Sequence, residues 1–549
     1  MAEVTTALVM LLAVVVSGAL TRASPLPVPR PLVQIGLGVL IAVVGGLTVR
    51  LEPDIFFQLF LPPLLFLDGW RIPKGALYRD RRTVLQLALG LVVCTVLGVG
   101  YFVHWLIPAM PLAVAFALAA VVSPTDPVAV SGIAERVPVP NRLLHILEGE
   151  SLLNDASGLT CLRFAVAAAL TGSFSLSAAV GSFVWLAIGG VAIGIGVTWA
   201  ITTAKHWVSR RFGEEPGTEL LVSLLIPFGA YLLAEELECS GILAAVAAGI
   251  AMSFIEQSDR ALAVTRVRRS AVWDAIQFAL TGIVFVLLGE QLPGLWQRSA
   301  EVVSLTGHSS PAWLLLYMLA INATLATLRF AWVWLSLRLT LARAARRGIA
   351  VTRPGWQLVA ATTLAGVRGA VTLAGVLTLP FTLGDGTPFP ARDLAILLAG
   401  GTIVLSLIAA SIGLPVLLRG LELPPEPSQQ AEEDRARALA AEAAIKAVER
   451  AQHRLADGRE DADLFADAGA RIMALYRRQL ERSGKTGADA ERDRAQGRVE
   501  RELRLVGLRA ERSAYRRLDR TGELSHDTAR RLAREADLLE ARLTTDSAG

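Results

Sequence analysis

Apolar residues fill long stretches of the chain up to about residue 420, with few of the regular polar interruptions that mark the exposed face of a soluble helix. A helix needs about 20 predominantly apolar residues to cross the hydrocarbon core of a bilayer. We count about thirteen stretches of suitable length and composition. Their approximate bounds are 4–20, 31–49, 55–70, 84–107, 110–134, 141–171, 176–204, 218–237, 239–256, 272–296, 311–337, 356–381 and 390–418. This pattern predicts an all-α polytopic membrane protein.

The pattern changes after Leu423, where the segment PPEP at 424–427 ends the last apolar span. Beyond it the chain is rich in Ala, Arg, Glu, Asp and Leu, and its acidic and basic residues nearly balance. We therefore predict a transmembrane domain at 1–423 and a cytoplasmic helical domain at 424–549, suited to dimerisation or regulation. Without a net basic patch or an aromatic platform, nucleic-acid binding is not expected.

Composition supports a membrane protein, because charged residues make up only 19% of the chain, against about 25% in typical soluble domains. Cys94, Cys161 and Cys239 lie in or beside apolar spans, with spacing that fits neither a disulfide framework nor a zinc site.

Positive charges in the loops set the expected orientation, since Lys and Arg concentrate on the cytoplasmic side of a membrane. If the N-terminus is outside, the loops predicted to be cytoplasmic hold most of the basic residues, and the opposite loops hold Arg50, Arg298 and Arg392. We therefore expect an outside N-terminus and a cytoplasmic C-terminus.

The sixth span, 141–171, carries acids where a membrane helix should be apolar. Its polar positions are Glu148, Glu150, Ser151, Asn154 and Asp155. A charge near the bilayer centre costs roughly 2.5–3.5 kcal/mol on insertion scales, so these residues indicate function. Ser151 and Asp155 share one helical face through their i,i+4 spacing, and Glu150 and Asn154 form the adjoining pair.

Two other spans contain residues that interrupt a helix. Thr125 and Asp126 lie between two prolines in the fifth span, and Arg368 lies between Gly366 and Gly369 in the twelfth. Unwound backbone is tolerated at membrane depth only where it is buried or lines a cavity. Breaks at matching places in two halves are typical of transporters with inverted repeats, so we predict that spans 1–6 and 8–13 are such repeats and that their interrupted helices cross.

The oxygen-bearing side chains Asp155, Asp126, Ser151 and Thr125 suit a hard monovalent cation such as Na⁺. A carboxylate in a desolvated site can hold either a proton or a cation, so competition combined with alternating access gives cation:proton antiport. A K⁺-preferring or broad monovalent cation antiporter is the first alternative and a cation channel the second. An enzyme is not expected, because no nucleophile–base or metal constellation is evident. The buried acids also require positive partners, for which Arg329 and Arg368 lie deep enough in their spans.

Four motifs resemble those of bacterial sodium/proton antiporters of the monovalent cation:proton antiporter-1 family, relatives of the animal sodium/proton exchangers. They are SPTDPVAVSGI at 123–133, EGESLLNDASGL at 148–159, AEELECSGILAAVAAG at 234–249 and GVRGAVTLAGV at 366–376. The resemblance implies electroneutral one-for-one Na⁺/H⁺ exchange across a bacterial plasma membrane for sodium and pH homeostasis, a homodimer, and no cofactor beyond the transported ions.

The resemblance also implies residue roles. Asp155 matches the essential ion-binding aspartate, and Asn154 matches the neighbour that accompanies electroneutral exchange. Thr125 and Asp126 match the unwound-helix site, and Ser151 matches a further cation ligand.

Other roles concern structural and peripheral charges. Glu150 matches a buried acid that pairs with an arginine; Arg329 is our first choice and Arg368 is assigned to the crossing, although the two roles could be reversed. Asp68 and Glu148 are expected to line a cytoplasmic funnel, and Glu235 an outer vestibule.

Overall fold

Every apolar stretch predicted to cross the membrane contains helix in the computed structural model of the chain. The structure describes residues 2–24, 28–45, 53–72, 74–126, 141–172, 176–213, 215–256, 263–297, 303, 306, 310–346, 355–383, 386–419, 429–457, 462–483, 488–521 and 523–545. Pro127 with the rest of the fifth span, the predicted boundary at 423/424, and the loop residues Arg50 and Arg298 lie outside this set. Within it, regular structure is helical apart from one bridge between Thr382 and Pro388.

The helices of the first part of the chain follow the predicted spans. In chain order they are α1 (Ala2–Ala23), α2 (Arg30–Gly45), α3 (Pro53–Arg71), α4 (Lys74–Leu85), α5 (Val92–Leu106), α6 (Leu112–Val122), α7 (Asn141–Thr171), α8 (Leu176–Phe212), α9 (Pro216–Glu236), α10 (Gly241–Glu256), α11 (Ala263–Gln297), α12 (Ala312–Arg346), α13 (Trp356–Leu364), α14 (Ala370–Leu377) and α15 (Arg392–Leu418). A π-helical segment, Gln86–Leu91, joins α4 to α5.

Among the described residues, seven helical segments are long and apolar enough to cross a membrane by themselves. They are Val4–Ala23, Thr83–Leu106, Val184–Phe212, Gly217–Glu236, Thr265–Gly294, Ala312–Ala342 and Arg392–Leu418. Helices α2, α6 and α10 are apolar but shorter. The figure of about thirteen spans therefore stays a prediction.

The membrane helices pack in two groups, which meet around a cavity described below. Group A consists of α1–α3 with α8–α11, and its main pairs are α2 with α11, α3 with α10, and α8 with α10. Group B consists of α4–α7 with α12–α15, and its main pairs are α5 with α6, α6 with α7, and α13 with α15.

The packing has the symmetry expected of inverted repeats. With the predicted spans numbered in chain order, the second packs on the tenth (α2 on α11) and the ninth packs on the third (α10 on α3). Exchanging each span with the one seven positions away converts the first pair into the second. Gly38 and Gly289 lie at the first contact, and Gly69 and Gly249 at the second. At each of these four positions a Cβ atom would collide with backbone of the opposite helix. Small residues allow membrane helices this close approach, so the same packing solution is used twice.

Residues 422–549 form a compact unit separate from 1–421. Its helices are α16 (Gln429–Ala456), α17 (Ala462–Ser483), α18 (Ala488–Thr521) and α19 (His526–Thr545). α16 packs on α17, and α18 packs on α19. Arg512 of α18 contacts Asp537 and Glu540 of α19 at 2.9 and 3.0 Å. The predicted roles in dimerisation or regulation remain predictions.

Candidate functional site

Two helices of group B are interrupted at the centre of the site, and their interruptions touch. Helix α6 ends at Val122, and Ser123 to Asp126 continue without regular helix. Helix α13 ends at Leu364, and α14 begins only at Ala370. The backbone N–H of Asp126 donates a hydrogen bond to the carbonyl oxygen of Val367 at 2.7 Å. The unwound segments therefore cross in direct contact.

The residues in the two segments explain why helix stops there. Pro124 has no backbone N–H to donate and crowds the preceding turn. In the other unwound segment, a Cβ atom at Gly369 would collide with the carboxyl group of Asp126. Glycine at 369 therefore makes room for an acidic side chain at the crossing.

Adding a methyl group at this point should disturb the site more than the fold. We expect Gly369→Ala to lower exchange by roughly tenfold or more, because a preorganised site tolerates little displacement of its groups. Ion-dependent proton flux in proteoliposomes measures the effect. Gly36→Ala is the matched control, since nothing lies within 4 Å of a Cβ at Gly36. Equal loss in both variants would show that Gly369 has no special place.

Arg368 satisfies the carbonyl groups released by the two breaks. Its Nε donates to the carbonyl oxygen of Val122 at 2.9 Å, and its Nη1 donates to that of Gly366. Its backbone N–H donates to Ser406 Oγ of α15 at 3.2 Å. A buried guanidinium thus fixes the end of α6 to the second break.

Glu150 of α7 has a different arginine as its partner. Arg329 of α12 binds both carboxylate oxygens, with Nη2 to Oε2 at 2.8 Å, and its Nε donates to the carbonyl oxygen of Thr362 at 3.1 Å. The two residues are 1% and 2% exposed. Removing either partner would leave a buried charge without its counter-ion.

Asn154 lies behind the cavity rather than in its wall. Its Nδ2 donates to Thr125 Oγ1 at 3.0 Å, and the Thr125 hydroxyl donates to Glu150 Oε1 at 3.4 Å. Among the described residues no hydrogen-bond donor reaches Asn154 Oδ1. Asn154 therefore helps to position the first unwound segment on α7.

A cavity lies between the two helix groups at the crossing. From group B it is lined by Thr125, Asp126, Ser151, Asp155 and Gly369, and from group A by Asp68. The remaining walls are partly apolar, formed by Phe60, Leu61, Leu64, Leu65, Pro124, Gln277, Thr281, Val284, Val371 and Thr372. Asp155 is only 6% exposed. The cavity is thus lined by three carboxyl-bearing and four hydroxyl-bearing residues.

The predicted site residues thus separate into layers. Ser151 and Asp155 line the cavity, and the adjoining pair Glu150 and Asn154 belongs to the network behind it. Asp68 lines the same cavity as Asp155. Glu148 is exposed and is not part of this lining.

Three polar lining residues were not predicted from the sequence. Gln277 and Thr281 lie four positions apart on α11, and Thr372 belongs to α14. The i,i+4 spacing of two polar residues in an apolar span was a usable signal for the first two. No comparable signal marks Thr372, which follows the second break in a run of small and apolar residues.

An ion pair between α7 and α9 joins the two groups away from the cavity. Arg163 Nη2 of α7 lies 2.9 Å from Glu235 Oε1 of α9, and the same oxygen accepts a hydrogen bond from the N–H of Gly241 at 3.2 Å. The Arg163 side chain is 48% exposed, so this pair lies at the surface of the helix bundle.

Oxygen ligands of this kind suit a hard monovalent cation. Within the described ranges no three His, Cys, Asp or Glu side chains come together as a metal-ion site. Unwound helix ends beside such a cavity are the arrangement that transporters use to bind ions at membrane depth.

Comparisons with known proteins identify the family of the chain. The family model for the transmembrane region of sodium/hydrogen exchangers matches residues 10–420. The uncharacterized Na⁺/H⁺ exchanger YjcE of Escherichia coli is 40% identical over 551 residues, covering 99% of each chain. A sodium, potassium, lithium and rubidium/H⁺ antiporter of Bacillus pumilus is 43% identical over 76% of this chain and 61% of its own length.

The fold also matches a solved structure, the sodium proton antiporter MjNhaP1 of Methanocaldococcus jannaschii. The TM-score is 0.57 at 19% identity, and the match covers 76% of this chain and 99% of that one. The relatives are transporters rather than enzymes. The family model covers most of the chain, and the fold is similar to that of a solved antiporter. This chain therefore belongs to the sodium/hydrogen exchanger family.

Proposed function

We propose that the protein exchanges Na⁺ for H⁺ across a bacterial plasma membrane by alternating access. The observation that carries the proposal is the position of Asp155, a buried carboxyl-bearing residue lining a cavity between two helix groups beside two crossed, unwound segments. A carboxylate in such a place can be neutralised by a proton or by a cation. Because one excludes the other, movement of either ion drives the other in the opposite direction.

The proposed sodium ligands are Asp155, Asp126, Ser151 and Thr125. All four line the cavity from group B. Group A supplies the opposite wall through α3 and α11, and much of that wall is apolar. A displacement of group B against group A would expose these ligands to one side of the membrane and then to the other.

We further propose a one-for-one, electroneutral exchange. Glu150 is already neutralised by Arg329, and position 154 carries an amide instead of a second carboxylate. This assigns the competition between Na⁺ and H⁺ to Asp155. Asp126 and Asp68 then keep their charge state through the cycle.

The proposal includes sodium and pH homeostasis, a homodimer, an outside N-terminus and a cytoplasmic C-terminus. These elements rest on the family and on the distribution of Lys and Arg among the loops. No cofactor is required, because ion gradients supply the driving force.

A broader monovalent cation/H⁺ antiporter is the second candidate. It is favoured by the 43% identical Bacillus pumilus relative, whose name includes potassium, lithium and rubidium beside sodium. Selectivity depends on cavity size and ligand geometry, which substitutions in lining residues can change.

Proton flux in proteoliposomes tests the proposal. Na⁺, Li⁺ or K⁺ is added to vesicles containing a pH-sensitive dye, with and without an imposed membrane potential. We expect Na⁺ to drive proton movement at a rate that the potential leaves unchanged. A rate that follows the potential would contradict electroneutrality, and a steady current without proton flux would indicate a channel. Equal responses to Na⁺ and K⁺ would favour the second candidate.

A further inference from the structure

Arg71, the last residue of α3, reaches across to α11 at the edge of the cavity. Its Nη1 donates to Gln277 Oε1 at 2.7 Å, and its Nη2 pairs with Asp274 one turn earlier on α11. Arg71 and Asp274 are 38% and 59% exposed, so their pair lies at the surface. Gln277 is half-buried and lines the cavity, whereas Arg71 does not.

The chemistry of arginine fixes which end of the Gln277 amide it binds. A guanidinium has five N–H donors and no acceptor, so its partner must be the amide oxygen. With that oxygen held by Arg71 outside the cavity, the group that Gln277 can present to the cavity is Nε2, a donor. A donor nitrogen cannot coordinate a cation but can donate to a carboxylate.

We propose that Gln277, oriented by Arg71, sets the affinity of the cavity for the cation, with its amide nitrogen turned inward so that the Gln277 side chain offers the cation no oxygen. The inference rests on the proposed function and identifies a new control of its ion site. Arg71 acts as a positioning residue through Gln277.

The arrangement has a functional consequence. The ligands proposed for Na⁺ all belong to group B, so a bound ion can travel with that group. If the Gln277 amide turned its oxygen inward, α11 would add a further ligand to the cation from the opposite group. Binding would tighten, but movement of the loaded group would slow. The Arg71 hydrogen bond therefore favours turnover over affinity.

A variant in which residue 71 no longer holds the Gln277 amide tests this role of Arg71. We expect Arg71→Met to lower the KM for Na⁺ about threefold or more and to lower kcat, because a gain in ground-state binding slows the following step. The measurement is Na⁺-driven proton flux, together with the Na⁺ concentration that raises the unfolding temperature of the purified protein. The second readout reports binding without transport.

Loss of a positive charge alone would also attract cations, so two comparisons separate the effects. Lys74→Met removes a charge close by in sequence, from a residue that lies over the Phe254 ring at 4.2 Å and does not line the cavity. We expect its KM to match that of the unmodified protein. In a Gln277→Leu background, Arg71→Met should have no further effect on KM, because no amide remains to be turned.

The possible results separate failure of the proposed exchange function from failure of the role proposed for Arg71. An unmodified protein without Na⁺-driven proton flux refutes the proposed function. Normal flux with an unchanged KM in Arg71→Met, or with the same decrease in Lys74→Met or in the Gln277→Leu background, overturns the role of Arg71. If Arg71→Met fails to fold, Gln277→Glu replaces it, since a carboxylate offers one oxygen to Arg71 and the other to the cavity. An unchanged or higher KM in Gln277→Glu would then refute the inference.

Discussion

We expect the Asp155→Asn variant to show no Na⁺-driven proton flux above that of empty vesicles. An amide neither releases a proton at physiological pH nor neutralises a cation, so neither half of the exchange can occur. The side chain keeps nearly the same volume, and the Asn154 and Glu150 contacts behind the cavity do not involve it. The loss should therefore appear in transport while the protein remains folded.

Asp393→Asn is the matched control for this prediction. It makes the same change in a half-exposed carboxylate at the start of α15, which does not line the cavity. We expect near-normal flux from this variant. Full flux from Asp155→Asn would remove Asp155 as the residue for which Na⁺ and H⁺ compete, and would shift attention to Asp126 and Asp68.

The second large effect concerns stability. Glu150→Gln leaves the Arg329 guanidinium buried without a counter-ion, and breaking a buried ion pair on one side costs about 3–5 kcal/mol. Since whole proteins are stable by only about 5–15 kcal/mol, we expect much lower yield and a lower unfolding temperature. Expression level and thermal unfolding in detergent measure both.

Two further variants give this prediction its control and its rescue. Glu148→Gln makes the same change two residues earlier on α7 at an exposed position, and should leave yield unchanged. Combining Glu150→Gln with Arg329→Met removes both charges and should restore part of the lost stability. Normal yield and stability of Glu150→Gln alone would mean that the pair contributes little.

Much of this architecture follows from residues that are unusual in a membrane helix. The Pro124–Asp126 segment and the glycines flanking Arg368 predict two crossing breaks, because proline and glycine weaken helix locally wherever they occur. The helical period also groups Ser151 with Asp155 and Glu150 with Asn154. The structure places the first pair at the cavity and the second in the network behind it.

The remaining features depend on how the helices rotate and shift against each other. The pattern of residue types along the sequence does not specify these rotations and shifts. Arg329 and Arg368 are both buried cations, and only packing brings one to Glu150 and the other to the carbonyl oxygen of Val122. Gln277 was missed for a related reason. Its i,i+4 spacing with Thr281 marks a polar face of α11, but only packing brings Arg71 and the cavity to the two sides of its amide.

The contact between the two breaks bears on the sidedness of transport. The backbone N–H of Asp126 donates a hydrogen bond to the carbonyl oxygen of Val367. The Arg368 side chain, from the same segment as Val367, donates to the carbonyl oxygen at the end of α6. In the proposed cycle, these hydrogen bonds would hold the ligands proposed in group B in one arrangement while access to the cavity changes. An ion arriving from the cytoplasm and one arriving from outside would meet the same first ligands. Any difference between inward and outward affinity must then arise in the α3 and α11 wall.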